Sequence, residues 1–144
     1  MANKPESAPD EVVMYSDGAA RGNPGPAGAG VLILNGRGET LVERSEYLGE
    51  CTNNVAEYRA LLIGLAEIAK LAPAAVLVKM DSELVVRQLN GVYKVKNRGL
   101  LPLYQQAAGM IKQIGNIRLV HVPRGQNARA DRLANQAIDL LQRG

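Results

Sequence analysis

The sequence predicts an α/β fold built on a mixed sheet, and three observations carry that prediction. Three strand-like segments come first, two of them joined by a hairpin signal. Helical and strand patterns then alternate, and the last helix repeats its apolar residues at i, i+3, i+4 and i+7. An antiparallel meander joined to parallel strands, flanked by helices, satisfies all three.

Each element has its own warrant. "EVVMYSD" (11–17) is a greasy run that reads as a strand with both faces buried. "AGVLILN" (29–35) and "ETLVERSEYL" (39–48) follow as strands, and the "GRG" between them is a hairpin turn. The third strand alternates imperfectly, as a strand with one wet face does. Helical spacing takes over in "NNVAEYRALLIGLAEIAKL" (53–71) and ends at Ala72–Pro73. "AAVLVKMD" (74–81) is another buried strand. "SELVVRQLNG" (82–91) is a short helix, with Ser82 as its N-cap and Gly91 just past its end. A third helix covers "LLPLYQQAAGMIKQIG" (100–115), then come a last strand, "NIRLVHVPR" (116–124), and a last helix, "NARADRLANQAIDLLQ" (127–142).

Size and composition set the bounds. A chain of 144 residues has room for one domain with a proper core: residues 1–11 read as a flexible lead-in and 12–144 as the folded domain. With no Phe and no Trp, the core must be aliphatic. No apolar run nears the roughly 20 residues that span a bilayer, and the start lacks the apolar stretch of a secretory signal. Cys51 has no second cysteine to pair with, and one cysteine and one histidine cannot build a zinc site. A cytoplasmic location, with no membrane partner, is therefore expected. Charge is unevenly spread: residues 1–78 hold 6 basic and 10 acidic side chains, residues 79–144 hold 11 and 4. A basic half suits an anionic partner such as nucleic acid, and equally a plain solvated surface.

The informative residues are four carboxylates. Asp17 and Asp81 each stand at the C-terminal end of an apolar strand. If those strands are parallel neighbours, their tips lie about 4.8 Å apart, at the sheet edge where open α/β folds place ligands. Glu57 leads the row Leu61, Gly64, Leu65 and Ile68, and Asp131 leads Ala134 and Ile138, so both border buried helix stripes. Buried carboxylates are costly unless paired or bound to a cation. Four converging on one edge call for divalent ions, and all-oxygen ligands select Mg²⁺ or Mn²⁺ over zinc. Each carboxylate also has a purely structural role open to it. Asp17 can start a turn, Asp81 can help cap a helix, Asp131 can favour a helix N-terminus, and Glu57 can pair with Arg59 or Arg21.

"GAARGNPGPAGAG" superficially matches a phosphate-cradling loop. It lacks the Lys-Ser/Thr ending of a P-loop, and a strand rather than a helix follows it. A strand–turn–strand connection with Gly22, Asn23, Pro24 and Gly25 at its tip fits better. Bare backbone there can approach a sugar-phosphate chain closely, or simply close a tight hairpin.

Four stretches, "YSDGAARGNPGPAGAG", "CTNNVAEYRALLIGL", "MDSELVVRQLNGVYKVKN" and "HVPRGQNARADRLAN", together resemble ribonuclease H type 1 in order and over nearly the whole chain. The resemblance implies a ribonuclease H-like fold, a five-stranded mixed sheet with helices on both faces. It implies hydrolysis of the RNA strand of RNA/DNA hybrids with two Mg²⁺ ions (Mn²⁺ as substitute), giving 5′-phosphate and 3′-hydroxyl ends. The acidic quartet falls on Asp17, Glu57, Asp81 and Asp131, the first bridging two metals roughly 4 Å apart. Contacts to the RNA 2′-hydroxyl are implied for the Gly22–Asn23 backbone and Glu57. Thr52, Asn53 and Asn54 match the T-N-N positions that hold the two backbones. Ser82 and Asn127, in the D-S and N-x-x-A-D stretches, are counted with them as substrate-binding.

Two departures matter. Many relatives carry an auxiliary loop histidine, but the one histidine here, His121, falls inside the last predicted strand. Relatives with V-P-R in this segment use the arginine, so Arg124 is the expected auxiliary residue and His121 a structural one. A guanidinium is no ordinary general base, but it positions phosphate or water. Secondly, some relatives insert a lysine-rich protrusion where "NGVYKVKNRGLLPLYQQ" is short and holds Lys94, Lys96 and Arg98. The lead-in leaves no room for a hybrid-binding domain ahead of the core. Modest, salt-sensitive affinity is therefore expected, with double-stranded RNA an open second substrate and a monomer the expected state. A catalytically dead binding module of the same fold predicts a missing carboxylate, and all four are present.

Overall fold

The computed structural model describes residues 8–143. The first seven residues of the expected lead-in lie outside the described residues. The chain runs β1 (Glu11–Ala20), β2 (Gly25–Asn35), β3 (Thr40–Cys51), α1 (Asn53–Leu71), β4 (Ala75–Met80), α2 (Glu83–Leu89), α3 (Leu101–Ile114), β5 (Ile117–His121) and α4 (Ala128–Arg143). A 3-10 turn, Arg124–Asn127, leads into α4. The five strands form one sheet in the order β3-β2-β1-β4-β5. β3, β2 and β1 are antiparallel, whereas β1, β4 and β5 are parallel, which is the mixed architecture expected. Among the described residues, no helix is long and apolar enough to cross a membrane.

Chemistry in the sequence accounts for most element ends. The Thr52 hydroxyl accepts from the Val55 N–H and starts α1, and Ser82 does the same for α2 through Val85. α1 stops at Ala72 in the left-handed region, where Pro73 follows. Gly91 takes φ +80° just beyond α2.

The main core lies between one sheet face and α1 with α3. Val12, Met14, Val31, Ile33, Val76, Val78 and Met80 meet Tyr58, Leu61, Leu65 and Ile68 there. A buried hydrogen bond from Tyr58 Oη to Gln88 Oε1 (2.6 Å) ties α1 to α2. α4 covers the opposite face, over β2, β3 and the end of β1, and buries Ala130, Ala134, Ala137 and Ile138.

Two expectations change. β1 and β4 are not buried on both faces: alternate residues, among them Val13, Tyr15, Leu77 and Lys79, are only half-buried, because α4 covers just part of its face. The first hairpin is also longer than expected, since β1 runs three residues past Asp17 and β2 begins at Gly25 rather than Ala29. The glycines there do not break the strands. A Cβ on Gly28 would lie 2.1 Å from the Ala134 carbonyl oxygen, and one on Gly30 would lie 2.0 Å from that of Ala130. They are the positions where α4 lies directly on the sheet.

Candidate active site

The site forms where β1 outruns β4. Their parallel pairing ends at Tyr15↔Lys79, and two residues further along each chain stand Asp17 and Asp81. Asp17 is within β1, opposite Gly30 of β2, and so under α4. Asp81 follows the last residue of β4 and precedes the N-cap of α2. Beyond the end of β4, the N–H groups on that side of β1 have no strand partner, and an orphaned buried N–H is costly. Two α1 side chains take them. Glu57 Oε1 accepts from Gly18 N–H at 2.8 Å, and Asn53 Oδ1 accepts from Ala20 N–H at 3.0 Å. Gly18 is required for this approach, because a Cβ there would lie 2.1 Å from the Ala56 carbonyl carbon.

Carboxylate oxygens of Asp17, Glu57 and Asp81 all lie within 4.8 Å of one another. Asp17 is 4% exposed and Glu57 is 8% exposed. At that separation, two like charges repel by about 3 kcal/mol at an effective dielectric of ~20. Burial, then the charges of Glu57 and Asp81, then a hydrogen bond and charge from Asp131, push the Asp17 carboxyl far above the usual carboxylate range. Burial pushes Glu57 up as well; the Gly18 N–H opposes this, and the charges of Asp81 and Asp131 add to it. Asp131, in the first turn of α4, thus completes the quartet. An all-oxygen cluster that repels itself this strongly fits hard divalent cations.

The purely structural roles open to Asp17, Asp81 and Glu57 are not the ones they take, whereas Asp131 does stand in the first turn of α4, where its charge also favours the helix N-terminus. Arg59 donates to the Leu48 carbonyl, Arg21 pairs with Asp139 on α4, and Ser82 caps α2. Asp17 lies within a strand rather than starting a turn.

The other expected residues divide into two groups. Gly22, Asn23, Asn53 and Asn54 are exposed beside the carboxylates, and Asn23 Oδ1 accepts from Asn53 N–H at 3.0 Å, locking the turn to α1. Thr52 and Ser82 spend their hydroxyls as helix caps. Asn127 is only 1% exposed: its amide donates to the Ser16 carbonyl (2.9 Å) and to Asp81 Oδ1 (3.3 Å). It therefore holds β1 and Asp81 from inside the protein. Arg124 lies in the 3-10 turn rather than in the last strand, with its side chain 82% exposed and its Nη2 3.9 Å from Asp131 Oδ1. His121 ends β5 opposite Met80 and is exposed. Sequence reasoning missed Asn135, which donates to Asp131 Oδ1 at 3.3 Å; its place four residues after Asp131 was the available signal.

Comparison with known proteins places this geometry in context. Residues 15–137 match the family described as reverse transcriptase-like. LC11-RNase H1, isolated from compost by a metagenomic approach, superposes with a TM-score of 0.88 at 48% identity, covering 92% of this chain and 99% of that one. The same protein has been solved in complex with an RNA/DNA hybrid and superposes with a TM-score of 0.87 at 49% identity, covering 91% and 99%. A bifunctional protein of Mycobacterium tuberculosis is 48% identical over 130 residues, 90% of this chain and 36% of that protein. A ribonuclease HI of Halobacterium salinarum is 38% identical over 125 residues, 87% of this chain and 63% of that protein. The chain thus spans about a third of the mycobacterial relative's length. Sheet order, the acidic edge and a superposition over 92% of the chain at 48% identity lead to one assignment: the chain belongs to the ribonuclease H type 1 family.

Proposed function

We propose that this chain is an endonuclease that hydrolyses the RNA strand of RNA/DNA hybrids, leaving 5′-phosphate and 3′-hydroxyl ends. One observation carries the reading: carboxylates from β1, α1 and the β4–α2 junction crowd within 4.8 Å, with Asp131 of α4 beside them. Their all-oxygen chemistry suits Mg²⁺, two ions per site, with Mn²⁺ as a substitute. Asp17, Glu57, Asp81 and Asp131 would hold them. Such ions, when bound, supply charge for the phosphodiester transition state and lower the pKa of water.

The chain's own residues bind and orient. The exposed Gly22–Asn23 turn offers bare backbone to a sugar-phosphate chain, and Asn53 and Asn54 stand next to it on α1. Glu57, itself one of the four carboxylates, follows Asn53 and Asn54 on α1 and is held by the Gly18 N–H; it can also accept from a 2′-hydroxyl and so separate RNA from DNA. Thr52 and Ser82 act through the helices they cap, and Asn127 acts by holding Asp81. Arg124, exposed and 3.9 Å from Asp131, positions phosphate or water. The LC11 complex with a hybrid supports the substrate class. A cytoplasmic monomer completes the reading.

The test is cleavage of a labelled RNA/DNA hybrid beside single-stranded RNA and RNA/RNA, by wild type and Asp17→Asn, with Mg²⁺ and with chelator. Hybrid cutting that needs both metal and Asp17 is expected, and the RNA/RNA lane sets the breadth of substrate. A folded wild type that cuts nothing with Mg²⁺ or Mn²⁺ would sink the reading and leave a binding module.

A further inference from the structure

Arg21 begins the exposed turn, and its side chain runs across to α4. Its Nη1 donates to Gln142 Oε1 at 2.8 Å, and its Nη2 pairs with Asp139 Oδ1 at 2.7 Å. The same Nη2 donates to Asn135 Oδ1 at 3.2 Å and to the Asn135 carbonyl at 3.4 Å. Asn135, Asp139 and Gln142 share a helix face with Asp131. Asn135 is engaged at both ends: while its oxygen accepts from Arg21, its Nδ2 donates to Asp131 Oδ1 at 3.3 Å and to the Asp131 carbonyl at 3.0 Å. If the amide turned over, its NH₂ would face a guanidinium and its oxygen would face a carboxylate, both repulsive. Arg21 on one side and Asp131 on the other thereby hold Asn135 in a single orientation. Arg21 also donates its backbone N–H to the Pro26 carbonyl at 2.8 Å, across the base of the turn. Arg21 thus links the base of the Gly22–Asn23 turn, through its backbone, to α4, through its guanidinium.

We propose that Arg21 is a positioning residue: through Asn135 it orients Asp131 for divalent-cation binding, and it couples that carboxylate to the Gly22–Asn23 turn. This rests on the metal-dependent hybrid hydrolysis proposed above. A mere surface staple would behave differently, since an exposed ion pair acts weakly on stability and not on metal affinity. Removing a group that orients a metal-binding side chain typically costs roughly 10–100-fold in metal affinity.

The experiment compares wild type, Arg21→Ala, Asn135→Ala, the double variant, and Asp139→Asn. Mn²⁺ affinity is measured by calorimetry without nucleic acid, alongside kcat and KM on a hybrid. Arg21→Ala and Asn135→Ala should each weaken Mn²⁺ binding by about tenfold, and the double variant should be no worse than either. Arg21→Ala should also raise KM for the hybrid. Asp139→Asn, which leaves the Arg21–Asn135 contact in place, should lower the melting temperature without moving Mn²⁺ affinity. Arg21→Lys is the milder variant should Arg21→Ala not fold, and it should show the same loss because a compact ammonium lacks the planar fork that reaches three partners spread along α4. Equal Mn²⁺ affinity in wild type, Arg21→Ala and Asp139→Asn, or strict additivity in the double variant, would overturn the proposal. If wild type binds Mn²⁺ yet cuts no hybrid, the nuclease reading fails, while the Mn²⁺ isotherms still decide the coupling.

Discussion

At the residue scale, the balance of forces at Asp17 and Glu57 has a measurable consequence. Burial and neighbouring charges raise both carboxyls above their ordinary values. Without a cation, the native protein therefore keeps protons that the unfolded chain releases above about pH 4. The contribution of these carboxyls to metal-free stability is then fully present below that pH and is lost as pH rises toward the raised values. A divalent ion takes the place of the protons, so its stabilisation grows across the same window. In chelator, the melting temperature of wild type should fall relative to Asp17→Asn between about pH 5 and about pH 8, and Mg²⁺ should add more at the higher pH. Parallel profiles for the two proteins would refute this account. Asp17→Asn should also reduce hybrid cutting by at least about 1,000-fold, read as initial rate at saturating Mg²⁺.

At the element scale, helix placement depends on three glycines and two hydroxyls. Gly18 admits α1 to β1, while Gly28 and Gly30 admit α4 to β2. Gly30→Ala puts a methyl 2.0 Å from a helix carbonyl oxygen, so α4 must lift, and Asp131 must lift with it. A loss of about 3 kcal/mol in urea unfolding is expected, at the upper end of overpacking costs, with weaker metal binding. Gly36→Ala, where nothing lies within 4 Å of the added methyl, is the control and should stay within about 0.5 kcal/mol. Thr52→Ala should cost about 1 kcal/mol through the lost cap of α1, and Thr52→Ser should restore most of it. An unchanged unfolding midpoint for Thr52→Ala would mean that the cap carries no weight.

At the scale of the whole molecule, the parallel half of the sheet supplies the edge, and the antiparallel half carries the turn beside it. Lys94, Lys96 and Arg98 are exposed on the segment between α2 and α3, in the basic half of the chain. Phosphate contacts release counterions, so affinity for a hybrid should fall linearly on a log–log plot against salt. Replacing Lys94 or Lys96 with Gln should weaken binding about equally for different hybrid sequences and reduce the salt slope by about one. A slope that neither substitution changes would remove this segment from the binding surface.

Element order, the mixed sheet, the caps at Thr52 and Ser82, and the four candidate acidic positions were legible in the chain alone. These are local or periodic signals: strand runs, helical stripes, capping hydroxyls, and acids placed at the edge of apolar faces. Tertiary structure decided the rest. The strand read from the sequence begins only at Ala29, yet β2 begins at Gly25, and Gly28 and Gly30 both lie directly under α4, because close approach of two backbones leaves no period in the sequence. Asn127 sits in a matched motif but is buried, and only the docking of the 3-10 turn against β1 reveals that it holds Ser16 and Asp81. Arg21 was one candidate partner for Glu57, and the geometry gives it to α4 instead. Which charge meets which carboxylate depends on strand register and helix docking, and those are set by packing across the chain rather than by neighbours along it.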